Sequence, residues 1–411
     1  MTNVLGIIGE YNPFHNGHKY HLEKSKKIAN ADFTVAIISG NFVQRGNVSL
    51  INKWEKAKMA IANGVDLVIE LPTIFSISSA ENFAYGAIKI LDSLNIIDFI
   101  SFGSEVGNLT TLDTLANILY KEPPEFSTIL KHELDKGISF PKARENALLM
   151  YLNNIRQYAN IMSGPNNILG VEYLKAIKKL KSDLKPITIK RLNANYNDLN
   201  TTKNIASATA IREMIKENKP AGMSKLMPSN SYKILYNCIK EGQYVKDITC
   251  FEKEIIYNLR KMSIKEIQNL PDVSEGLENS IKKGANSCNT LSELINHIKS
   301  KRYTASRIQR ILLYSLLGIT KKDINTCLKQ TPYIRVLGFN QKGKELISII
   351  SQSNPDLNII TSIKKFIDSN PNKNLLNMLN IDITATNIYT LGYEKNSIAN
   401  LDFTHNLIIS K

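Results

Sequence analysis

Cysteine is scarce and dispersed: Cys238, Cys250, Cys288 and Cys327 are the four in 411 residues. No Cys-x-x-Cys pair occurs, so neither a zinc site nor a disulfide framework is indicated. Histidine is also sparse, with six residues, three of them at His15, His18 and His21. Too few remain elsewhere for a metal cluster, and no protein-held metal is expected. No apolar run reaches the roughly 20 residues that span a bilayer. The chain opens directly into a strand-like run, without a basic, apolar and small-residue leader, so a cytoplasmic protein with no membrane association is expected. Acidic residues are outnumbered, 37 against 52 Lys and Arg, for a net charge of +15. That deficit favours an acidic polymer as partner, although a Lys-, Ile- and Asn-rich chain that merely solvates its surface accounts for the charge equally well. Between Lys299 and Lys322 seven residues are basic and none is acidic.

What is present is a long chain with an ordinary apolar share of 43%, enough for two or three domains. Short apolar runs at Val4–Gly9, Phe33–Ser39, Asp66–Leu71, Ile96–Gly103 and Pro186–Leu192 have the character of strands buried in a parallel sheet. Helical stretches near 16–29, 53–63 and 79–94 alternate with them. The pattern predicts a doubly wound α/β fold, whose ligands sit beyond the carboxyl ends of the strands. A helical insertion is expected over about 107–165, punctuated by Pro123, Pro124 and Pro141. A boundary is placed near 220, dividing an α/β region, 1–220, from a mainly helical region, 221–411. Beyond Pro332 a short strand, Ile334–Gly338, interrupts the helices.

The most informative stretch is Val4-Leu-Gly-Ile-Ile-Gly-Glu-Tyr-Asn-Pro-Phe-His-Asn-Gly-His18. It reads as a strand, a tight loop broken by Pro13, and a helix from Asn16 to Ala29. His15, Gly17 and His18 fall at the helix mouth, where unpaired N–H groups make an anion site. Imidazoles three apart share one face of the first turn, and Gly17 lacks the side chain that would hinder a phosphate. His-x-Gly-His in this place resembles the ATP signature of the nucleotidylyltransferase superfamily. The implied chemistry is transfer at the α-phosphate of ATP, with both imidazoles donating to oxygens that gain charge.

Other segments gather at the same predicted sheet edge. Ser207 is an N-cap candidate for a helix running to about Asn218, and Arg212 in its early turns can reach an anion. Ser163-Gly-Pro-Asn-Asn-Ile-Leu-Gly170 is a helix entry in which Asn166 or Asn167 could meet the nucleotide or only cap the helix. Gly103 ends the fourth strand. Arg45, in the loop after the second strand, could receive a carboxylate or a second phosphate, or sit in solvent. Lys261-Met-Ser-Ile-Lys265 and Met223-Ser-Lys225 mimic a synthetase lysine loop, but neither directly follows the last strand. Lys301, Arg302, Arg307 and Arg310, with Tyr303 among them, suit phosphate and base contacts on RNA or a plain cationic helix.

Taken together, the chain resembles the tRNA(Met) cytidine acetate ligase family within the nucleotidylyltransferase superfamily. The resemblance rests on Gly6–His18, Ser39–Gly46, Gly64–Pro72, Phe102–Glu105, Pro165–Gly170, Ser207–Arg212, Val273–Asn279, Lys301–Arg310 and Val336–Asn340. Gly9 departs by standing where a larger residue is frequent, and Thr209 by standing where Ser is usual. The resemblance implies activation of acetate by ATP to acetyl-adenylate and diphosphate, then acetylation of N4 of the wobble cytidine in elongator tRNA(Met). It assigns to ATP Ile7, Ile8, Gly9, Glu10, Tyr11, Asn12, Pro13, Phe14, His15, Asn16, Gly17, His18, Lys19 and Tyr20, with Gly103, Asn166 and Arg191. Ser207 and Arg212 would hold the β- and γ-phosphates. Mg²⁺ is expected to accompany ATP, although no carboxylate pair marks an inner-shell site, and no stable protein partner is implied. A small-molecule adenylyltransferase, or a non-catalytic nucleotide- and RNA-binding protein, stays open as an alternative reading.

Overall fold

The computed structural model describes residues 2–153, 155–192, 205–217, 222–274 and 276–410. The boundary placed near 220 lies outside these residues. Among the described residues there are ten strands: β1 Val4–Gly9, β2 Phe33–Ser39, β3 Phe42–Val43, β4 Asn47–Val48, β5 Leu67–Leu71, β6 Phe99–Ser104, β7 Lys185–Lys190, β8 Ile334–Phe339, β9 Ile359–Ile360 and β10 Ile408–Ile409. Eight form one sheet in the order β10-β8-β5-β2-β1-β6-β7, with β9 on β8, and β3 and β4 make a separate hairpin.

The central five strands, β5-β2-β1-β6-β7, are parallel. The inner strands are mainly apolar because helices cover both faces; β2 and β5 are buried at every residue, while the edge strand β7 carries exposed lysines at both ends. Two cores result. One joins the Ala80–Ser93 and Pro165–Leu180 helices to the face that carries Ile8 and Phe102. The other joins the Asn16–Ala29 and Lys53–Ala62 helices to the face that carries Leu5 and Ile7. The chain steps from β2 on one side of β1 to β6 on the other, which opens a crevice above β1 and β6 at their carboxyl ends.

The helical insertion is present as Leu109–Lys121, Pro124–Asp135 and Phe140–Tyr151. The C-terminal region is mainly helical, and it also completes the sheet. β8 lies antiparallel to β5 and β10 parallel to β8, so the sheet draws strands from both sides of residue 220. A buried charge cluster fixes that junction. Lys53 Nζ lies 2.9 Å from Glu70 Oε2 and 2.7 Å from Asp402 Oδ1, and Arg335 reaches Asp402 at 2.7 Å and Glu70 at 3.5 Å. Two cations and two anions out of water hold one another only while all four stay in register. Gly40 makes room for the cluster, since a Cβ there would stand 2.5 Å from Glu70 Oε1.

Candidate active site

A cavity of about 570 Å³ occupies the crevice, lined by residues from β1, the His element, the hairpin turn, β6, β7 and the starts of the Pro165–Leu180 and Ala208–Lys216 helices. His15 is the N-cap of the Asn16–Ala29 helix, and its Nδ1 accepts the Gly17 N–H at 3.0 Å. His18 Nδ1 accepts the His15 N–H at 3.3 Å. The two rings stack at 3.8 Å, and Tyr11 and Phe14 pack against His18. Because each Nδ1 is an acceptor, each neutral ring carries its proton on Nε2, a tautomer assigned from these hydrogen bonds. The pair therefore presents two N–H donors to the cavity. Gly17 owes its place to this fold of the loop, because a Cβ there would stand 2.8 Å from the His15 ring.

Burial, then the Arg191 and Arg212 charges, push His15 down to about 3. Burial pushes His21 down to about 4 and His18 well below its ordinary value, with neighbouring imidazoles and Arg191 adding to the effect. The unfolded imidazoles take up protons below about 6.5. The unfolded state thus binds more protons than the native state from there down to about 3 and 4, and stability falls as pH falls through that window. The expected loss is at most about 1.4 kcal/mol per pH unit for each histidine. Urea denaturation of the wild type and of His21→Phe near neutral pH and at about pH 5 checks this, the variant losing less stability on acidification. An equal loss in both would remove His21 as a contributor.

Cations surround the imidazoles. Arg212 donates to the Asn12 carbonyl at 2.7 Å and to Thr209 Oγ1 at 3.0 Å, while Ser207 caps its helix by accepting the Ala210 N–H at 3.1 Å. Arg191 follows β7, its N–H donating to the Ser104 carbonyl at 2.9 Å. Arg45 lines the cavity and has no hydrogen-bond or ion-pair partner among the described residues. Burial lowers the pKa of Arg191 and Arg212, and Arg45 adds to both shifts. Three guanidiniums sharing one cavity call for a polyanion between them.

Of the sequence-assigned residues, Ile7, Ile8, Gly9, Glu10, Tyr11, His15, Gly17, His18, Tyr20, Gly103, Asn166, Arg191, Ser207 and Arg212 line the cavity. Asn12, Pro13, Phe14, Asn16 and Lys19 do not. Asn12 is a clamp, accepting the Leu50 N–H at 2.8 Å and donating to the Val48 carbonyl at 3.2 Å. Phe14 is fully buried, Asn16 donates to the Lys225 carbonyl at 2.9 Å, and Lys19 pairs with Glu23 along its helix. Asn166 and Asn167 now separate. Asn166 lines the cavity and donates through its side chain to Glu105 Oε1 at 2.6 Å, whereas the buried Asn167 accepts the N–H groups of Glu105 and Val106. Glu105 in turn caps the Pro165–Leu180 helix through both backbone N–H groups.

Sequence reasoning overlooked Lys56. It is buried, and its Nζ donates to the carbonyls of Glu10, Ser39 and Gly40 at 3.0, 2.7 and 2.7 Å, which ties the ends of β1 and β2 together beneath the cavity. Burial pushes its pKa down to about 7 against the pull of Glu10 and Glu70, and three carbonyls match the three donors of an ammonium. His21 also lines the cavity, held by Ser101 Oγ at 3.2 Å. Its spacing of three from His18 was the available signal. Among the described residues no three His, Cys, Asp or Glu side chains converge as a metal cage.

The basic segment begins the Ala305–Leu317 helix, capped by Thr304. Lys301 and Arg302 are exposed. Arg307 donates to the Asp272 carbonyl at 2.9 Å and lies over the Tyr303 ring, and Arg310 pairs with Asp272 at 2.7 Å. The turn of the β3–β4 hairpin rests on this helix at Gly46, φ +73°, where a Cβ would stand 2.4 Å from the Arg310 nitrogen. The same turn carries Arg45 into the cavity, so Gln309 and Arg310 lie beside the turn that lines it. Lys261-Met-Ser-Ile-Lys265 joins two helices of the C-terminal region and lines no part of the cavity.

The family model described as HIGH Nucleotidyl Transferase matches residues 2–402. The tRNA(Met) cytidine acetate ligase of Acetivibrio thermocellus is 44% identical over 414 residues, 99% of each chain. That of a Thermoanaerobacter species is 46% identical over 405 residues, covering 98% of this chain and 99% of the relative. The crystal structure of apo Thermotoga maritima TmcAL superposes with a TM-score of 0.93 at 33% identity over 99% of both chains, and the form bound with alpha-thio ATP gives 0.91. No helix among the described residues is long and apolar enough to cross a membrane. A parallel sheet with a His element at its switch point, matched along nearly the whole length of both relatives and solved structures, places this chain in the tRNA(Met) cytidine acetate ligase family of HIGH nucleotidyl transferases.

Proposed function

We propose that this chain uses ATP to activate acetate as acetyl-adenylate and then transfers the acetyl group to N4 of the wobble cytidine of elongator tRNA(Met). The observation that carries the reading is the pair of neutral imidazoles, with Nε2–H donors fixed, set among three guanidiniums in a cavity at the switch point. A carboxylate oxygen of acetate attacks the α-phosphorus of ATP, and the bond from phosphorus to the diphosphate oxygen breaks. His15 and His18 donate to the α-phosphate oxygens as charge accumulates there, and preorganised donors in a sheltered site stabilise such a state strongly. Arg212, with the helix start at Ser207, holds the β- and γ-phosphates, and Arg191 with Asn166 and Gly103 holds the nucleoside end. Among the described residues the cavity offers one carboxylate, Glu10. Mg²⁺ therefore fits as an ion carried mainly by phosphate oxygens and water, in keeping with its preference for few protein ligands.

In the second step the cytidine amine attacks the acyl carbon, the C–O bond to AMP breaks and the amine loses a proton. A stacked anticodon base cannot reach a crevice of this kind, so the wobble nucleotide has to be splayed out. Region 221–411 supplies the tRNA surface in this reading, through Lys301 and Arg302, which are exposed ahead of the Ala305–Leu317 helix. Arg307 and Arg310, held by Asp272, mainly set the shape of that surface. A cytoplasmic place follows from the substrates.

The experiment is acetylation of purified tRNA(Met) from labelled acetate and ATP, repeated with Lys301→Glu across a salt titration. Label is expected on a cytidine amine, and the variant should bind tRNA more weakly with a salt slope smaller by about one per lost phosphate contact. ATP consumption that never labels tRNA would favour a small-molecule adenylyltransferase. An unchanged salt slope would move the RNA surface elsewhere.

A further inference from the structure

On the face of the sheet opposite the His element, the cavity has a wall that none of these steps uses. The Ala80–Ser93 helix contributes Phe83, β6 contributes Phe102 and the Pro165–Leu180 helix contributes Tyr173. All three belong to the core that includes Ile8, whereas His18 leans on Tyr11 and Phe14 of the other core. Tyr173 is 4% exposed, and its ring lies 5.5 Å from that of Phe102. Its hydroxyl has no hydrogen-bond partner among the described residues, although the side chain lines the cavity. The hydroxyl is not among the solvent-inaccessible unpartnered atoms, so it opens onto the cavity, where its O–H is available to a ligand. Burial, with Glu10 adding to it, raises the phenol pKa, so the group is an O–H donor at any working pH.

Position and charge say what the donor meets. Tyr173 stands seven residues along its helix from Asn166, about 10 Å by helical rise, and so away from the nucleoside end. Glu10, the nearest acid, already accepts the Gln44 N–H at 2.9 Å and interacts with Lys56 and Arg212. With Arg45 on the same turn as Gln44, this end of the cavity keeps a positive balance. An incoming nucleophile for the α-phosphorus has to approach from a side not taken by the departing diphosphate, and the rings of Phe83 and Phe102 leave an apolar surface beside the hydroxyl.

We propose that the Tyr173 hydroxyl receives one oxygen of the carboxylate substrate, while Phe83 and Phe102 take its methyl group, so that these three residues form the acyl subsite. The inference rests on the acetate ligase reading and names the part of the site that selects the acid. The second carboxylate oxygen stays free to attack phosphorus, and two fixed rings limit the length of acyl chain that fits. Tyr173 binds and orients; it exchanges no proton.

The test is acetate-dependent ATP–diphosphate exchange by the whole enzyme carrying Tyr173→Phe, with acetate and ATP varied separately. Loss of a hydrogen bond to a charged group should raise the KM for acetate about tenfold to a hundredfold, with the KM for ATP and the thermal midpoint close to wild type. Phe83→Leu gives an independent arm and should improve propionate relative to acetate. An unchanged acetate KM in Tyr173→Phe, a rise confined to the KM for ATP, or an unaltered acid preference in Phe83→Leu would overturn the subsite. Absence of acetate-dependent exchange in the wild type would instead sink the ligase reading, so the two failures are distinct.

Discussion

His18→Ala is expected to lower acetate-dependent ATP–diphosphate exchange by about 10²–10³ while leaving the protein folded, the usual cost of removing one preorganised donor from a site where charge develops. The geometry makes the loss fall on kcat. His18 Nε2–H faces the cavity because Nδ1 is held by the His15 N–H, and the donor is neutral at neutral pH because burial and its cationic neighbours push the imidazole far below its ordinary pKa. A neutral donor adds little to ground-state binding of an already cradled triphosphate. It matters when the α-phosphate oxygens gain charge. Removing the ring also leaves the His15 N–H without its acceptor and the His15 ring without its stacking partner, so some loss of order at the helix start adds to the effect. Steady-state exchange with both substrates saturating is the measurement. Activity within a few-fold of wild type would take His18 out of the catalytic machinery.

Much of this was legible in the sequence because the parallel strands are short, apolar and separated by amphipathic helices. Val4–Gly9 and Phe33–Ser39 are observed with the bounds their runs predict, and Asn16–Ala29 is the helix that the His element opens. Ser207 is the N-cap its position suggests. The last strand of the parallel set stops short of the Pro186–Leu192 run expected for it, since β7 covers Lys185–Lys190 and Arg191 continues only one backbone bond to Ser104. Partners across the sheet were not legible. Ile334–Phe339 is recognisable as a strand, but nothing local says that it runs antiparallel to β5 some 270 residues earlier. That pairing depends on Arg335 meeting Glu70 and Asp402, charges that in sequence look like solvated surface.

The same blindness applies inside the site. Lys53 and Lys56 look like ordinary helix lysines, yet both are fully buried, one paired with carboxylates and the other hydrogen-bonded to three carbonyls. Side-chain composition cannot reveal an ammonium whose partners come from strand ends. Asn166 and Asn167 are equivalent as letters and differ only because the helix start turns one into the cavity and the other into the loop of Glu105 and Val106. Tyr173 was hidden for a related reason. Its place on the buried face of an apolar helix marks it as core, and only the cavity shows that its hydroxyl has somewhere to go.

The central claim is that the adenylate forms before tRNA takes part, because everything the His element can do is complete with ATP and a carboxylate alone. Enzyme incubated with ATP and labelled acetate, then freed of both by rapid gel filtration, should carry bound label. On addition of tRNA(Met) without ATP it should pass that label to a cytidine amine in amounts approaching one per active site. Acetyl-CoA should not replace the pair. A washed complex that transfers no label, or acetylation that proceeds from acetyl-CoA with ATP absent, would contradict the account.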